Sequence, residues 1–295
     1  MQKVLTNTLP LKSLKKAFNN FLRSNISCFG TQNTLRDACE FALLNGGKRI
    51  RPLIVMIIAQ VLDNKLNVLE PSLSVEFFHT ATLIIDDLPC MDNENFRRSK
   101  PALHKVFGES VALLASQALV SAGYEKIFQS VRILSQQGAP FGEQAKNICM
   151  VAFDTATRGT GISGAVGGQY KDLFSTDRSL EAVLDMIYKK TITLFEVSFV
   201  FGWIFGGGDL SQVCEMRDIA FHFGMAFQIA DDLRDMKKDG NDSLNIGFIF
   251  GKDRAYARFT EEIEFFIQKL KKIGLMSSAF QQIINVLISY VKAGS

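Results

Sequence analysis

Apolar residues recur at helical spacing along most of the chain. Leu180, Val183, Leu184, Ile187 and Leu194 mark one face, and Ile263, Phe266, Ile267, Leu270 and Ile273 mark another near the C-terminus. Start signals agree with these runs. Pro71 lies near the N-terminus of one predicted helix, Ser179 precedes an apolar run, and Asp209 with Gln212 resembles a capping box. Sustained period-2 alternation is absent, so the pattern predicts ten or more helices with short loops and no sheet. No linker, repeat or compositional break divides residues 1–295, which read as one all-α domain.

Composition narrows the classes that remain. In 295 residues, 47% are hydrophobic and 21% charged, enough to bury a large core. Net charge is only +3, so bulk charge gives no reason to expect nucleic acid as a partner. The apolar window Val197 to Gly208 is too short to span a bilayer, and no transmembrane segment is expected. Five cysteines, without a Cys-x-x-Cys pair, argue against a disulfide framework or structural zinc and for a reducing, cytoplasmic compartment. Gly159-Thr-Gly161-Ile-Ser-Gly164 fits a dinucleotide-binding pattern. It follows the helix-like stretch Ala152 to Arg158 rather than a strand, and reads as a glycine-rich helix junction.

Two acidic clusters carry the chemistry. The apolar run Phe77 to Ile85 ends in Asp86 and Asp87, with Asp92 five residues on. Asp231, Asp232 and Asp235 close the second run, from Phe227. Asp231 and Asp235 share a helix face, where like charges repel unless a cation sits between them. Oxygen ligands without His or Cys at metal spacing favour Mg²⁺ or Mn²⁺, whose shell is usually completed by water and substrate phosphates. Cationic residues suited to phosphate accompany the clusters: Lys48 and Arg51 in Gly46-Gly-Lys-Arg-Ile-Arg-Pro52, Arg97-Arg98, and Lys190 beside Thr191. The expectation is one cavity with the two clusters facing each other.

These blocks, with 100–108 (Lys-Pro-Ala-Leu-His-Lys-Val-Phe-Gly), 167–170 (Gly-Gly-Gln-Tyr) and Phe227-Gln228-Ile-Ala-Asp-Asp-Leu-Arg-Asp235, resemble the trans-prenyl diphosphate synthases of the short-chain bacterial type. The resemblance implies an all-α antiparallel bundle of the isoprenoid synthase type around a central cavity, and a homodimer. It implies condensation of isopentenyl diphosphate with an allylic diphosphate, to geranylgeranyl or farnesyl diphosphate. By matched position, Asp86 and Asp92 bind two metals and Asp231 with Asp235 a third, with Asp87 and Asp232 as auxiliary carboxylates. Lys48, Arg51, His79 and Arg98 hold isopentenyl diphosphate. Arg97, Lys190, Thr191 and Gln228 face the allylic diphosphate or the cation.

The chain departs from the family pattern at Ile85, where many members carry His, at Ser116-Gln117 for Gly-Asp, and at Ser99 for Gly. The segment Met236 to Gly251 is shortened, with Lys237 or Lys238 standing in for phosphate-closing lysines. Chain length falls to Ala81 and Thr82, five and four positions before Asp86. In bacterial farnesyl synthases an aromatic ring commonly floors the pocket at the fifth position. Ala81 leaves room for another isoprene unit, which favours geranylgeranyl diphosphate; Phe77, Phe78 or the stretch Ser116 to Ser121 is the alternative floor. A non-catalytic partner subunit and a terpene cyclase are the competing readings.

Overall fold

A computed structural model describes residues 9–236 and 244–294. The helices follow in chain order as α1 (Leu11–Ser24), α2 (Thr34–Leu44), α3 (Ile50–Leu62), α4 (Leu69–Asp86), α5 (Leu103–Phe107), α6 (Glu109–Ser135), α7 (Phe141–Thr160), α8 (Ala165–Phe174), α9 (Leu180–Ile187), α10 (Thr193–Phe205), α11 (Val213–Asp235), α12 (Ile246–Phe250), α13 (Lys252–Lys272) and α14 (Ser278–Gly294). Helix α4 packs along α6 and also meets α3 and α10, while α11 packs against α10, α13 and α14. The fold is all-α, as the periodicity predicts, and the buried apolar side chains form one cluster through it.

Helix α10 explains the stretch that looked most apolar. All but one of its thirteen residues are buried, so it is the central helix of the bundle. Phe195 and Phe199 pack on Phe223 of α11, and Phe199 also meets Phe266 of α13 and Phe280 of α14. These contacts fix α11, whose C-terminal turn carries the second acidic cluster. Among the described residues, no helix is long and apolar enough to cross a membrane.

Several local signals hold. Ser179 caps α9 by accepting from the Ala182 N–H, whereas the Asp209 side chain accepts from the Ser211 N–H of a short 3₁₀ turn instead of forming the expected capping box with Gln212. The dinucleotide-like glycines are the α7–α8 junction, with α7 ending at Thr160 and α8 starting at Ala165. The expectation of no sheet is corrected by a short ribbon. Phe96 pairs with Pro101 and Arg97 with Lys100. Its two-residue turn is Arg98-Ser99, both with positive φ, 52° and 67°. That is the backbone sign of a type I′ hairpin turn, usually made with Asn and Gly. Without those residues, and with only two residues per strand, the ribbon has no sequence signature.

The apolar pattern through α9 and α10 also conceals a change of winding. Tyr188–Ile192 form a π-helical turn between them, and it carries Lys190 and Thr191. Such turns displace side chains from the α-helical register. The Tyr188 hydroxyl donates to Glu196 at 3.0 Å, which ties the turn to α10. Gly168 of α8 lies so close that an added Cβ would stand 2.2 Å from the Lys190 backbone nitrogen.

Gly168→Val should therefore push α8 off the π turn. Loss of about 1–3 kcal/mol of stability is expected from overpacking against backbone, read by urea unfolding. A neutral Gly168→Val would show that the approach is not tight.

Candidate active site

Helix α4 ends at Asp86, and the following loop returns the chain to it. The Asp92 N–H donates to the Asp86 carbonyl at 2.9 Å, while the Met91 and Asn93 N–H groups donate to the Leu88 carbonyl. The loop through Pro89 and Cys90 therefore folds Asp92 back beside Asp86. Asp87 takes a different direction. It is buried, and Arg97 Nε donates to its Oδ1 and Oδ2 at 2.9 and 3.1 Å, with Nη2 closing the fork. Asp87 and Arg97 thus engage each other, and the Arg97 carbonyl is held by Asn45 Nδ2 at 3.1 Å.

Lys190 reaches the first cluster from the π turn. Its Nζ bonds Asp172 of α8 at 2.5 Å, and its charge acts on Asp86 and Asp92. Burial pushes Asp86 up to about 6, against the pull of Lys190, with Asp92 adding repulsion. Burial raises Asp92 as well. For Lys190, burial works downward, but Asp172, Asp86 and Asp92 outweigh it and hold the ammonium above its ordinary value. The carboxylates are short of positive charge, which suits them to a cation.

The second cluster closes α11. Burial raises Asp231, while Arg234, Lys48 and Arg51 pull it down. Asp231 Oδ1 is buried and ion-paired with Arg234 Nη1 at 2.8 Å, but lacks an aimed hydrogen bond, which leaves it suited to a hard cation. Asp232 faces elsewhere. Its Oδ2 accepts from the Ile246 N–H at 3.0 Å, and its Oδ1 accepts from Gln228 Nε2 at 2.7 Å. Gln228 Oε1 in turn accepts from the Thr191 hydroxyl at 2.7 Å. With its proton committed to Gln228, Thr191 keeps oxygen lone pairs for an electron-poor partner. Among the described residues, no three carboxylate, imidazole or thiol groups converge on one metal position.

Cationic residues gather on the loop before α3 and on the ribbon. Arg49, with φ of 61°, is buried and ion-paired with Glu76 of α4, which is only 1% exposed. That pair pins the loop carrying Lys48 and the first turn of α3, which carries Arg51. Arg51 is buried over the Phe195 ring, 4.1 Å from its centroid, and burial pulls it down to about 10, so it stays protonated at neutral pH. Arg51 Nη1 lies 3.5 Å from His79 Nε2. Burial, followed by the charges of Arg51, Arg98, Arg49 and Arg97, holds His79 well below its ordinary value, as a neutral ring. Arg98 Nη1 donates to the Gly46 carbonyl at 2.6 Å. Gly47, at φ +113°, leaves the space the Arg98 guanidinium fills.

Two of the cavities beside α4 contain the expected site residues. One, of about 360 Å³, is lined by Lys48, Arg51, His79, Arg97, Arg98 and Asp231, among others. The other, of about 270 Å³, is mostly apolar and has Asp86 at its edge. Ala81, Thr82 and Phe78 line the second, together with Ser116 and Val120 of α6. Phe77 is fully buried against Phe29 instead. The Phe78 ring packs edge-on to Tyr124 at 5.0 Å, and that hydroxyl bonds Thr160 Oγ1 at 2.8 Å. Lys237 and Lys238 lie outside the described residues.

Asp172, Glu76, Arg234 and Tyr290 belong to the site but escaped the sequence reading. Asp172 stands two positions past the Gly-Gly-Gln-Tyr block, and Arg234 lies inside the second motif, where a basic residue beside aspartates has no distinctive spacing. Glu76 and Tyr290 carry no local signal, because only the packing of α4 and α14 brings them there.

The model of the family described as polyprenyl synthetase matches residues 32–281. Geranylgeranyl pyrophosphate synthase 7 of Arabidopsis thaliana is 36% identical over 268 residues, 88% of this chain and 73% of the relative. Geranylgeranyl pyrophosphate synthase 4 of the same plant is 34% identical over 251 residues. That match covers 81% of this chain but spans only 63% of the relative's length. A solved geranyltranstransferase of Thermotoga maritima superposes with a TM-score of 0.78 at 28% identity, covering 96% of this chain and 98% of the other.

The raised Asp86 carboxyl makes a stability prediction for the metal-free protein. Because its folded value lies above the unfolded one, the native state takes up a proton first as pH falls. Stability should rise as pH drops from about 6 toward 4, by about 1–3 kcal/mol, with Asp92 and Asp231 acting in the same direction. Urea unfolding in EDTA at pH 7 and pH 5 measures it, and Asp86→Asn should remove the largest part. Equal slopes in both proteins would contradict the assignment.

Proposed function

Because the chain belongs to the polyprenyl synthetase family, we propose that it is a short-chain trans-prenyl transferase. It condenses isopentenyl diphosphate with dimethylallyl, geranyl or farnesyl diphosphate, and geranylgeranyl diphosphate is the favoured product over farnesyl diphosphate. The observation that carries this reading is a cationic cavity lined by Asp231 and an apolar cavity lined by Asp86, both against α4. A diphosphate head and a hydrocarbon tail need those two environments side by side.

The residues divide the work. Lys48, Arg51, His79 and Arg98 take the diphosphate of isopentenyl diphosphate; neutral His79 serves as a hydrogen-bonding group and the arginines as charged forks. The allylic tail runs into the apolar cavity past Thr82 and Ala81 toward Phe78. Asp86 and Asp92, and Asp231 with Asp235, fit Mg²⁺ or Mn²⁺, whose charge when bound would offset that of the leaving diphosphate. Lys190 and Arg97 add fixed positive charge where negative charge grows as the allylic C–O bond breaks. Asp87 keeps Arg97 oriented, and Asp172 does the same for Lys190. The oxygens of Thr191 and Gln228 stabilise the allylic cation without acting as strong nucleophiles, and the apolar walls exclude water from it. The departing diphosphate is the base for the final proton.

The reading extends to one catalytic unit over residues 1–295, a cytoplasmic location and a homodimer. All five cysteines are free thiols, which suits a reducing compartment. Leu114 and Phe128 on α6 and Met150 on the adjoining α7 are exposed apolar side chains of the kind a second copy would cover.

Incubation of the purified protein with labelled isopentenyl diphosphate, an allylic starter and Mg²⁺ should give a longer prenyl diphosphate. Cyclised hydrocarbon would indicate a terpene cyclase, and no product would indicate a partner subunit. Asp86→Ala and Asp231→Ala should each abolish turnover, a loss of at least about 10²–10³-fold, with unfolding midpoints equal or raised in EDTA.

Ala81→Tyr should place a ring across the cavity one turn above Phe78, about 4.5 Å nearer the diphosphate. The main product should shorten from C20 to C15 while early condensations continue. Chromatography of the dephosphorylated products decides it; an unchanged distribution would move the chain-length stop to Phe78 and Tyr124.

A further inference from the structure

The second acidic cluster contains a cation of its own. Arg234 Nη1 lies 2.8 Å from Asp231 Oδ1, while Nε and Nη2 donate to Asp235 Oδ1 and Oδ2 at 3.0 and 2.9 Å. One guanidinium therefore spans both carboxylates. The two ends differ in quality. Asp235 receives a two-pronged fork, whereas Asp231 Oδ1 is near the charge but lacks a properly aimed hydrogen bond.

The far side of the guanidinium rests on α14. Arg234 Cζ is 5.3 Å from the centre of the Tyr290 ring, and Lys48 Nζ is 4.2 Å from the same centre. Both distances suit cation–π attraction. Tyr290 thus holds two cations of the diphosphate basin, one from the loop before α3 and one from α11.

We propose that Arg234 is a built-in counter-cation for Asp231 and Asp235, parked against Tyr290, which must release these carboxylates before a divalent ion can take them. The inference rests on the reading of Asp231 and Asp235 as metal ligands. Its physical basis is competition for oxygen lone pairs. Arg234 engages both oxygens of Asp235 and stands beside the one Asp231 oxygen that lacks a bond. Without a cation, two carboxylates one helical turn apart repel each other. Arg234 relieves that repulsion in the free protein, so an entering ion must replace it. A diphosphate arriving with the ion offers the displaced guanidinium a new anionic partner. The arrangement therefore disfavours the ion alone and favours the ion together with substrate. Arg234 and Tyr290 are positioning residues in this scheme.

The test is Mn²⁺ binding to the full chain without substrate, followed by the electron spin resonance of the free ion. Arg234→Leu should bind Mn²⁺ about three- to tenfold more tightly than wild type. Arg234→Lys keeps the charge but loses the planar fork, and should resemble Arg234→Leu. Tyr290→Leu should move in the same direction, and Tyr290→Phe, which keeps the ring, should match wild type. Asp231→Asn is the control and should weaken binding. If Asp231→Asn weakens binding while Arg234→Leu leaves it unchanged, the counter-cation is overturned and the metal ligands stand. If Asp231→Asn binds as wild type, the metal assignment fails and the inference with it. Wild-type affinity in Arg234→Lys would overturn the fork in favour of bulk charge.

Discussion

Both acidic clusters sit at the C-terminal ends of helices, where the peptide dipoles already present partial negative charge. Asp86 closes α4 and Asp235 closes α11. Carboxylates are unwelcome there, and burial makes them more so. The surrounding cations answer this constraint. Arg97 forks onto Asp87, Lys190 faces Asp86 and Asp92, and Arg234 bridges Asp231 and Asp235. A protein that needed only stability would have placed lysines at these ends. The arrangement makes sense as a site held ready for more positive charge than the chain itself supplies.

The apolar frame converts that electrostatic problem into geometry. The phenylalanines shared by α10, α11, α13 and α14 leave little room for α11 to slide, so the second cluster is fixed relative to the core. The same frame carries Arg51, which lies on Phe195 and beside His79. A strongly buried guanidinium is tolerated because an aromatic face, a neutral imidazole and the field of Glu76 and Asp231 surround it. On the other flank of α4, Ala81 and Phe78 shape an apolar volume from the same helix. One helix therefore sorts charge to one side and hydrocarbon to the other.

The helices and the motif residues could be read from the chain because both are local. Apolar periodicity, caps at Ser179 and Asp209, and paired aspartates after apolar runs are contained within a few turns of sequence. What escaped was relational. The ribbon turn at Arg98-Ser99 uses residues that rarely announce positive φ, and the π turn at Lys190 leaves the apolar spacing almost intact. The roles of Asp87 and Asp232 depend on Arg97 and on the N–H of Ile246, partners 10 and 14 residues away. Glu76 and Tyr290 enter only through packing between distant helices.

The buried pair of Arg49 and Glu76 constrains the history of the chain as well as its shape. Losing either partner strands a charge in the interior, at a cost of about 3–5 kcal/mol, a large share of the stability a domain commonly has. A lineage cannot drift through that intermediate one substitution at a time. The two positions should therefore be inherited as a unit, and any replacement should appear as a coordinated change. The loop bearing Lys48 would then evolve more slowly than its exposure alone suggests.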